Sequence, residues 1–350
     1  MARFEIHVPL VLSPAFPSLL NWRLRAIDDL SNANLILAAD FDELHKSQLS
    51  VEVRNGLGEK AHNILMRYDP LPSYYSQWPE EQFVIIFRSD AKFPGSRKYF
   101  LPNLKVKKKM YTRDILEHAW KISTLDVAFE YVQNLIVATN VARPGSLMSS
   151  DSVGFFGRRL HRLYPGMVHI LPEALERAIE LGWPPLVEAD ISKTWKWYQS
   201  LSGPIQKSST TPVARAVTAF THTFDDNFSE KKIDNLIWNL SGLEALYTDG
   251  TPGVMHQLIE KSFVFLGKPE NEKLIRKKIK QMYNFRSRSV HGQSNTTGKY
   301  TVDETEAFEG KEVEERAFAD ELAAIMLACS IQKCAIENRA DLNFQYNLIN

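Results

Sequence analysis

In the later part of the chain, apolar residues recur every three to four positions. That spacing predicts helices from Val213 to Asp225, Ser229 to Thr248, Val254 to Leu266, Glu270 to His291 and Lys311 to Arg339. Gly250, Gly253, Gly267 and Gly292 fall between or just beyond these segments, where glycine closes a helix or turns a tight connection. The same spacing predicts earlier helices near 112–141, 172–182 and 188–200, the last rich in aromatics at Trp195, Trp197 and Tyr198. Residues 1 to about 105 have a different pattern. Short β-like runs, such as Phe4 to Leu12 and Phe83 to Phe87, alternate with Pro- and aromatic-rich loops such as Asp69 to Tyr75. The expected class is α+β: an N-terminal mixed α+β region over 1–203, then a C-terminal all-α helical bundle over 204–350. Small residues and prolines between Ser200 and Pro212 set that boundary.

Composition narrows the functional classes. Lys and Arg number 42 and Asp and Glu number 42, so whole-chain charge supplies no general pull toward nucleic acid or acidic membrane. Any attraction for RNA must come from a local patch. No apolar run approaches the ~20 residues of a membrane span. Glu5 and His7 interrupt what a secretory leader would need to keep apolar. A cytoplasmic chain with no membrane partner is therefore expected. Cys329 and Cys334 lie five apart on an expected helix, about 140° round from each other, and read as reduced packing residues. The histidines at 7, 45, 62, 118, 161, 169, 222 and 256 show no metal-ligand spacing. No glycine-rich phosphate loop appears, so neither metal nor cofactor is expected.

Two helices place charge on an apolar stripe. At about 100° per residue, the helix from Ser229 aligns Ile233, Leu236, Ile237, Leu240, Leu243 and Tyr247, with Glu244 amid them. The helix ending at Gly292 aligns Ile275, Ile279, Met282, Tyr283 and Val290, with Arg286 inside the stripe. A buried charge is costly unless paired, so Arg286 is expected to meet Glu244 or another acceptor within the bundle. His291 falls about 140° round from Arg286, beside Asn284 and Ser287 and in line with Lys277 and Lys280. This polar, basic face ends in the last turn of the helix, where the helix dipole favours a cation. Imidazole exchanges protons near neutral pH. Together, an arginine and a histidine suit RNA cleavage by the ribose 2′-hydroxyl. That reaction needs a proton removed, charge stabilised on the phosphorane and a proton delivered to the leaving 5′-oxygen.

The stretch Ile237 to Tyr247, with its Leu-Glu-Ala-Leu run, followed by Met282-Tyr-Asn-Phe-Arg-Ser-Arg-Ser-Val-His-Gly292, resembles the Apea-like HEPN family over roughly residues 205–340. The second segment fits the family signature of Arg, four to six residues, then His. The resemblance implies a metal-independent endoribonuclease with Arg286 and His291 catalytic, Ser287 in the polar position after the arginine, and Glu244 at the acidic helix position. It also implies a homodimer whose two motifs form one composite cleft, and a role in bacterial antiviral defence or as a toxin.

The bland readings differ from residue to residue. Arg286 also suits a structural tie between helices, His291 a helix-capping residue, and Glu244 a structural partner as readily as a catalyst. The run Ile275 to Lys280 reads either as a solvated face or, through Lys277 and Lys280 with Asn284, as RNA-binding. Lys105 to Lys109 suits a solvated edge, and Trp195, Trp197 and Tyr198 suit packing. The alternative to an enzyme is a non-catalytic dimerisation or RNA-binding module. Residues 1–203 are expected to sense or recruit, with a protein or phage-derived activator as the partner.

Overall fold

The computed structural model describes residues 2–10, 25, 28–29, 37–39, 47–55, 83–91, 113–147, 152–156, 159–163, 171–201, 209–224, 233–293 and 310–344. Lys105 to Lys109 and the loop Asp69 to Tyr75 lie outside them. The chain divides into two compact units, one of Met1–Leu135 with Leu147–Met167, the other of Ile136–Ser146 with Val168–Asn350.

In the first unit the strands are β1 (Ala2–Leu10), β2 (Leu37–Ala39), β3 (Ser47–Asn55), β4 (Phe83–Ala91), β5 (Ser152–Phe156) and β6 (Arg159–Leu163). They form a six-stranded sheet in the order β2-β3-β4-β1-β5-β6. Every pairing is antiparallel: β1 runs from Ala2 opposite Ala91 to Leu10 opposite Phe83, and on its other side Phe4 faces Phe156. Helix α1 (Arg113–Ala142) begins in this unit and ends in the second.

The second unit is helical. Its further helices are α2 (Leu171–Leu181), α3 (Ile191–Ser200), α4 (Pro212–Thr221), α5 (Ile233–Tyr247), α6 (Val254–Leu266), α7 (Glu272–Val290) and α8 (Gly310–Ile336). Helices on both sides of the expected 203/204 boundary, α2 and α3 as well as α4 to α8, thus belong to one unit. The reason is α8, which packs against every helix from α2 to α7. Its stretch from Leu322 to Gln332 is buried on all sides, and Ala323, Ala324 and Ala328 let neighbouring helices approach closely. Each of its large apolar side chains, Leu322, Ile325, Leu327 and Ile331 among them, contributes roughly 1.5–3 kcal/mol of transfer free energy.

Several polar groups inside this core are hydrogen-bonded. Gln332 Nε2 donates to the carbonyls of Ala142 and Val187, both at 2.8 Å, joining the end of α1 to the α2–α3 connection. Ser330 donates to the Met326 carbonyl at 2.6 Å, so the Tyr247 phenol, 2.6 Å from Ser330 Oγ, must donate to it. Burial holds the Tyr247 phenol well above its ordinary range. Trp195, Trp197 and Tyr198 are buried, and Trp197 Nε1 donates to the Arg339 carbonyl at 2.8 Å, so these aromatics pack rather than present a stacking platform. Cys329 and Cys334 are free, buried thiols, and desolvation pushes each up to about 12. Among the described residues no helix is long and apolar enough to cross a membrane.

Candidate functional site

Helix α7 carries the motif, and its ends are fixed by local chemistry. Asn271 caps the start, its side chain accepting from the Leu274 amide at 3.3 Å. At the far end, Gln293 N donates to the Arg288 carbonyl at 2.8 Å and Gly292 N to the Ser289 carbonyl at 3.2 Å, the two bonds of a Schellman closure. Gly292 adopts φ +67°, a left-handed conformation that glycine takes without steric cost. His291 is therefore the C-cap residue, at φ −89° and ψ 10°, with its amide on the Ser287 carbonyl at 3.1 Å and its side chain exposed.

Ile275, Ile279, Met282 and Phe285 anchor α7 in the bundle. Tyr283 and Arg286 are half-buried at the margin of that face, and Val290, expected on the core stripe, is exposed. Phe285 is buried in its place, and near the helix end Arg288 meets Glu315 of α8 at 2.8 Å.

The expected Arg286–Glu244 ion pair does not form. Tyr283 stands in its place: its hydroxyl donates to Glu244 Oε1 at 3.1 Å, and the Arg286 guanidinium carbon lies 6.0 Å over the Tyr283 ring. Three residues before Arg286 on the same stripe, the phenol reaches the carboxylate first. Burial, then the Glu244 charge, raises the Tyr283 phenol above its ordinary range. Arg286 Nε is itself buried without a hydrogen-bond partner. The arginine is thus held by ring contact and packing, and Glu244 bears on it through Tyr283.

Helix α5 is also turned from its expected face. Leu236, Asn239, Leu240, Leu243, Leu246 and Tyr247 are buried, while Ile237 and Glu244 lie half-buried at the edge. The cause is Gly242, whose missing side chain lets Leu327 of α8 approach; a Cβ there would stand 2.8 Å from Leu327 Cδ2 and 3.2 Å from Ala219 Cβ. The polar residue carried inward is Asn239, fully buried, with neither Oδ1 nor Nδ2 hydrogen-bonded. Sequence reasoning missed it, and Gly242 is the signal that marks the face.

The three expected RNA-binding residues come together. Lys277, Lys280 and Asn284 are exposed and line a shallow depression of about 500 Å³ with Lys273, Arg276 and Gln281. Arg276 is already engaged: it meets Glu260 and also Glu272 at 2.7 Å, and both carboxylates are held below their ordinary range chiefly by hydrogen bonds to basic side chains. Lys278 lies 4.4 Å over the Phe318 ring. Lys273, Lys277 and Lys280 form no ion pair among the described residues. Ser287 is half-buried between this face and Arg286. The arrangement therefore offers a half-buried guanidinium, an exposed imidazole at a capped helix end and a row of ammonium groups, unpaired among the described residues, leading to it. Comparison with protein-family models, curated proteins and solved structures finds no match.

Proposed function

We propose that this chain is a metal-independent RNA endonuclease of the HEPN type. The observation that carries the reading is the division of labour on α7: Arg286 lies half-buried over the Tyr283 ring, while His291 stands exposed at a capped helix end. His291 exchanges the proton of the attacking 2′-hydroxyl or of the leaving 5′-oxygen, and Arg286 stabilises charge on the phosphorane. Ser287 supplies a hydrogen bond beside them, and Glu244 positions the arginine through Tyr283. Lys277, Lys280 and Asn284 hold the RNA backbone.

The two catalytic side chains leave one helix about 140° apart, which favours a homodimer in which a second copy completes the cleft. The N-terminal part is read as an α+β region that senses or recruits, responding to a protein or phage-derived activator, in a cytoplasmic effector of defence or toxin type. The second reading is a non-catalytic dimerisation or RNA-binding module. It draws on Arg286 Nε, buried as a structural arginine's is.

Incubation of the purified chain with tRNA and single-stranded RNA in EDTA tests the proposal. Cleavage leaving 2′,3′-cyclic phosphate and 5′-hydroxyl ends is expected, and it stops in His291→Ala. Intact RNA with the wild type, or equal cutting by the variant, sinks the proposal.

A further inference from the structure

The basic face of α7 continues beyond the residues that motif and charge run suggest. Lys273, Lys277, Lys280, Asn284, Ser287 and His291 follow one another in steps of four, three, four, three and four residues. Eighteen residues make five full turns of an α-helix, so Lys273 and His291 lie on one line parallel to the axis, about 27 Å apart. The first four of these residues border the depression beside α7, and its three lysines have no ion-pair partner among the described residues. Their neighbours on the same helix differ: Arg276 and Arg288 are held by carboxylates and Lys278 by an aromatic ring. Apart from the half-buried Arg286 over the Tyr283 ring, the positive charge on α7 without a carboxylate or ring partner among the described residues thus lies on one straight row that ends at the histidine.

We infer that this row is a track for the backbone of single-stranded RNA, which delivers the strand lengthwise to His291; the inference rests on the nuclease reading above. Three features select a single strand. One straight row of cations matches one line of phosphates, whereas proteins that bind duplex RNA span two minor grooves over ~16 base pairs. Among the described residues no aromatic side chain lines the depression, so recognition is by phosphate charge and tolerates any base sequence. Attack by a 2′-oxygen also needs that atom in line with the bond to the 5′-oxygen, and an unpaired strand can adopt this alignment where an A-form helix holds it off.

Charge recognition of this kind has a measurable signature. Each phosphate neutralised on a single strand contributes about −0.7 to the slope of log K against log salt, so three lysines give about −2, or a roughly twentyfold loss over a fourfold rise in salt. The test uses the full chain and a fluorescent 2′-O-methyl RNA, which binds but lacks the attacking hydroxyl. Lys273→Gln, Lys277→Gln and Lys280→Gln should each flatten the slope by about 0.7, and the triple variant should remove nearly all of it. Lys193→Gln/Lys196→Gln, exposed on α3, should change nothing. An A-form duplex of the same length should bind more weakly than the single strand. An unaltered slope in the triple variant overturns the track, and tighter lysine-dependent binding of duplex overturns its strand preference. Cleavage of ordinary RNA, followed in parallel, separates the two proposals. Cutting with an unaltered KM in the triple variant defeats the track alone, whereas lysine-dependent binding without cutting defeats the nuclease reading alone.

Discussion

Replacing Tyr283 by phenylalanine removes one hydroxyl and keeps the ring beneath Arg286, so it isolates the 3.1 Å bond to Glu244. A hydrogen bond to a charged acceptor contributes about 1.5–3 kcal/mol. Tyr283 and Glu244 are both half-buried, so water recovers part of the carboxylate's solvation in the variant and a loss of about 1 kcal/mol is expected. For a unit of this size that lowers Tm by about 2–4 °C. Urea denaturation of Tyr283→Phe, Glu244→Gln and the double variant should give a coupling energy near 1 kcal/mol. The pH dependence supplies a second check. The folded phenol titrates above the unfolded one, so its contribution is complete below the unfolded tyrosine value of ~10 and disappears as pH rises through the folded value. The stability gap between wild type and Tyr283→Phe should therefore close in strong alkali. A coupling energy near zero, or a gap unchanged in alkali, refutes the Tyr283–Glu244 link. If the link also positions the arginine for chemistry, Tyr283→Phe should lower kcat more than it raises KM.

Other consequences concern the frame around the site. Asn239→Leu should stabilise the chain by roughly 1–3 kcal/mol, since a buried amide without partners gives way to a side chain of similar size; a lower urea midpoint contradicts the unpaired amide. Gly292→Ala should cost about 1 kcal/mol in the same assay, because φ +67° strains alanine while no atom lies within 4 Å of the added carbon. Cys329 and Cys334 should resist Ellman's reagent until the chain unfolds. Because their folded thiols titrate near 12, their contribution to stability holds below the unfolded thiol value of ~8.5 and falls as pH rises beyond it. Rapid labelling of the native chain contradicts that burial.

The helices were legible because their signals are local. Val254–Leu266 has the limits its apolar spacing predicts, and α7 ends at the glycine that left-handed closure requires. What was not legible depends on a neighbour. Apolar residues surround almost the whole of α5, so their spacing fixes its axis but only weakly its rotation. A single close approach, Gly242 against Leu327, turns Asn239 inward and Glu244 to the margin. The Arg286–Glu244 pair was inferred from two charges on two core stripes, without a measure of which side chain reaches the carboxylate first; Tyr283 does. On α7, Lys277, Lys280 and Asn284 were legible from the charge run and helical spacing, whereas Lys273, one turn earlier and outside that run, joins them only through the shared depression. The position of α2 and α3 is a long-range matter as well: α8, more than a hundred residues later in the chain, draws them into the C-terminal unit.

The central claim is that His291 and Arg286 promote attack by the RNA's own 2′-hydroxyl. Analysis of fragment ends tests it most directly: end-labelled single-stranded RNA and its all-deoxy counterpart are incubated in EDTA with wild type, His291→Ala and Arg286→Ala. The account predicts RNA fragments ending in 2′,3′-cyclic phosphate with the wild type only, and no cutting of the deoxy strand. Fragments ending in 3′-hydroxyl, cutting of the deoxy strand, or undiminished cutting by His291→Ala contradicts it.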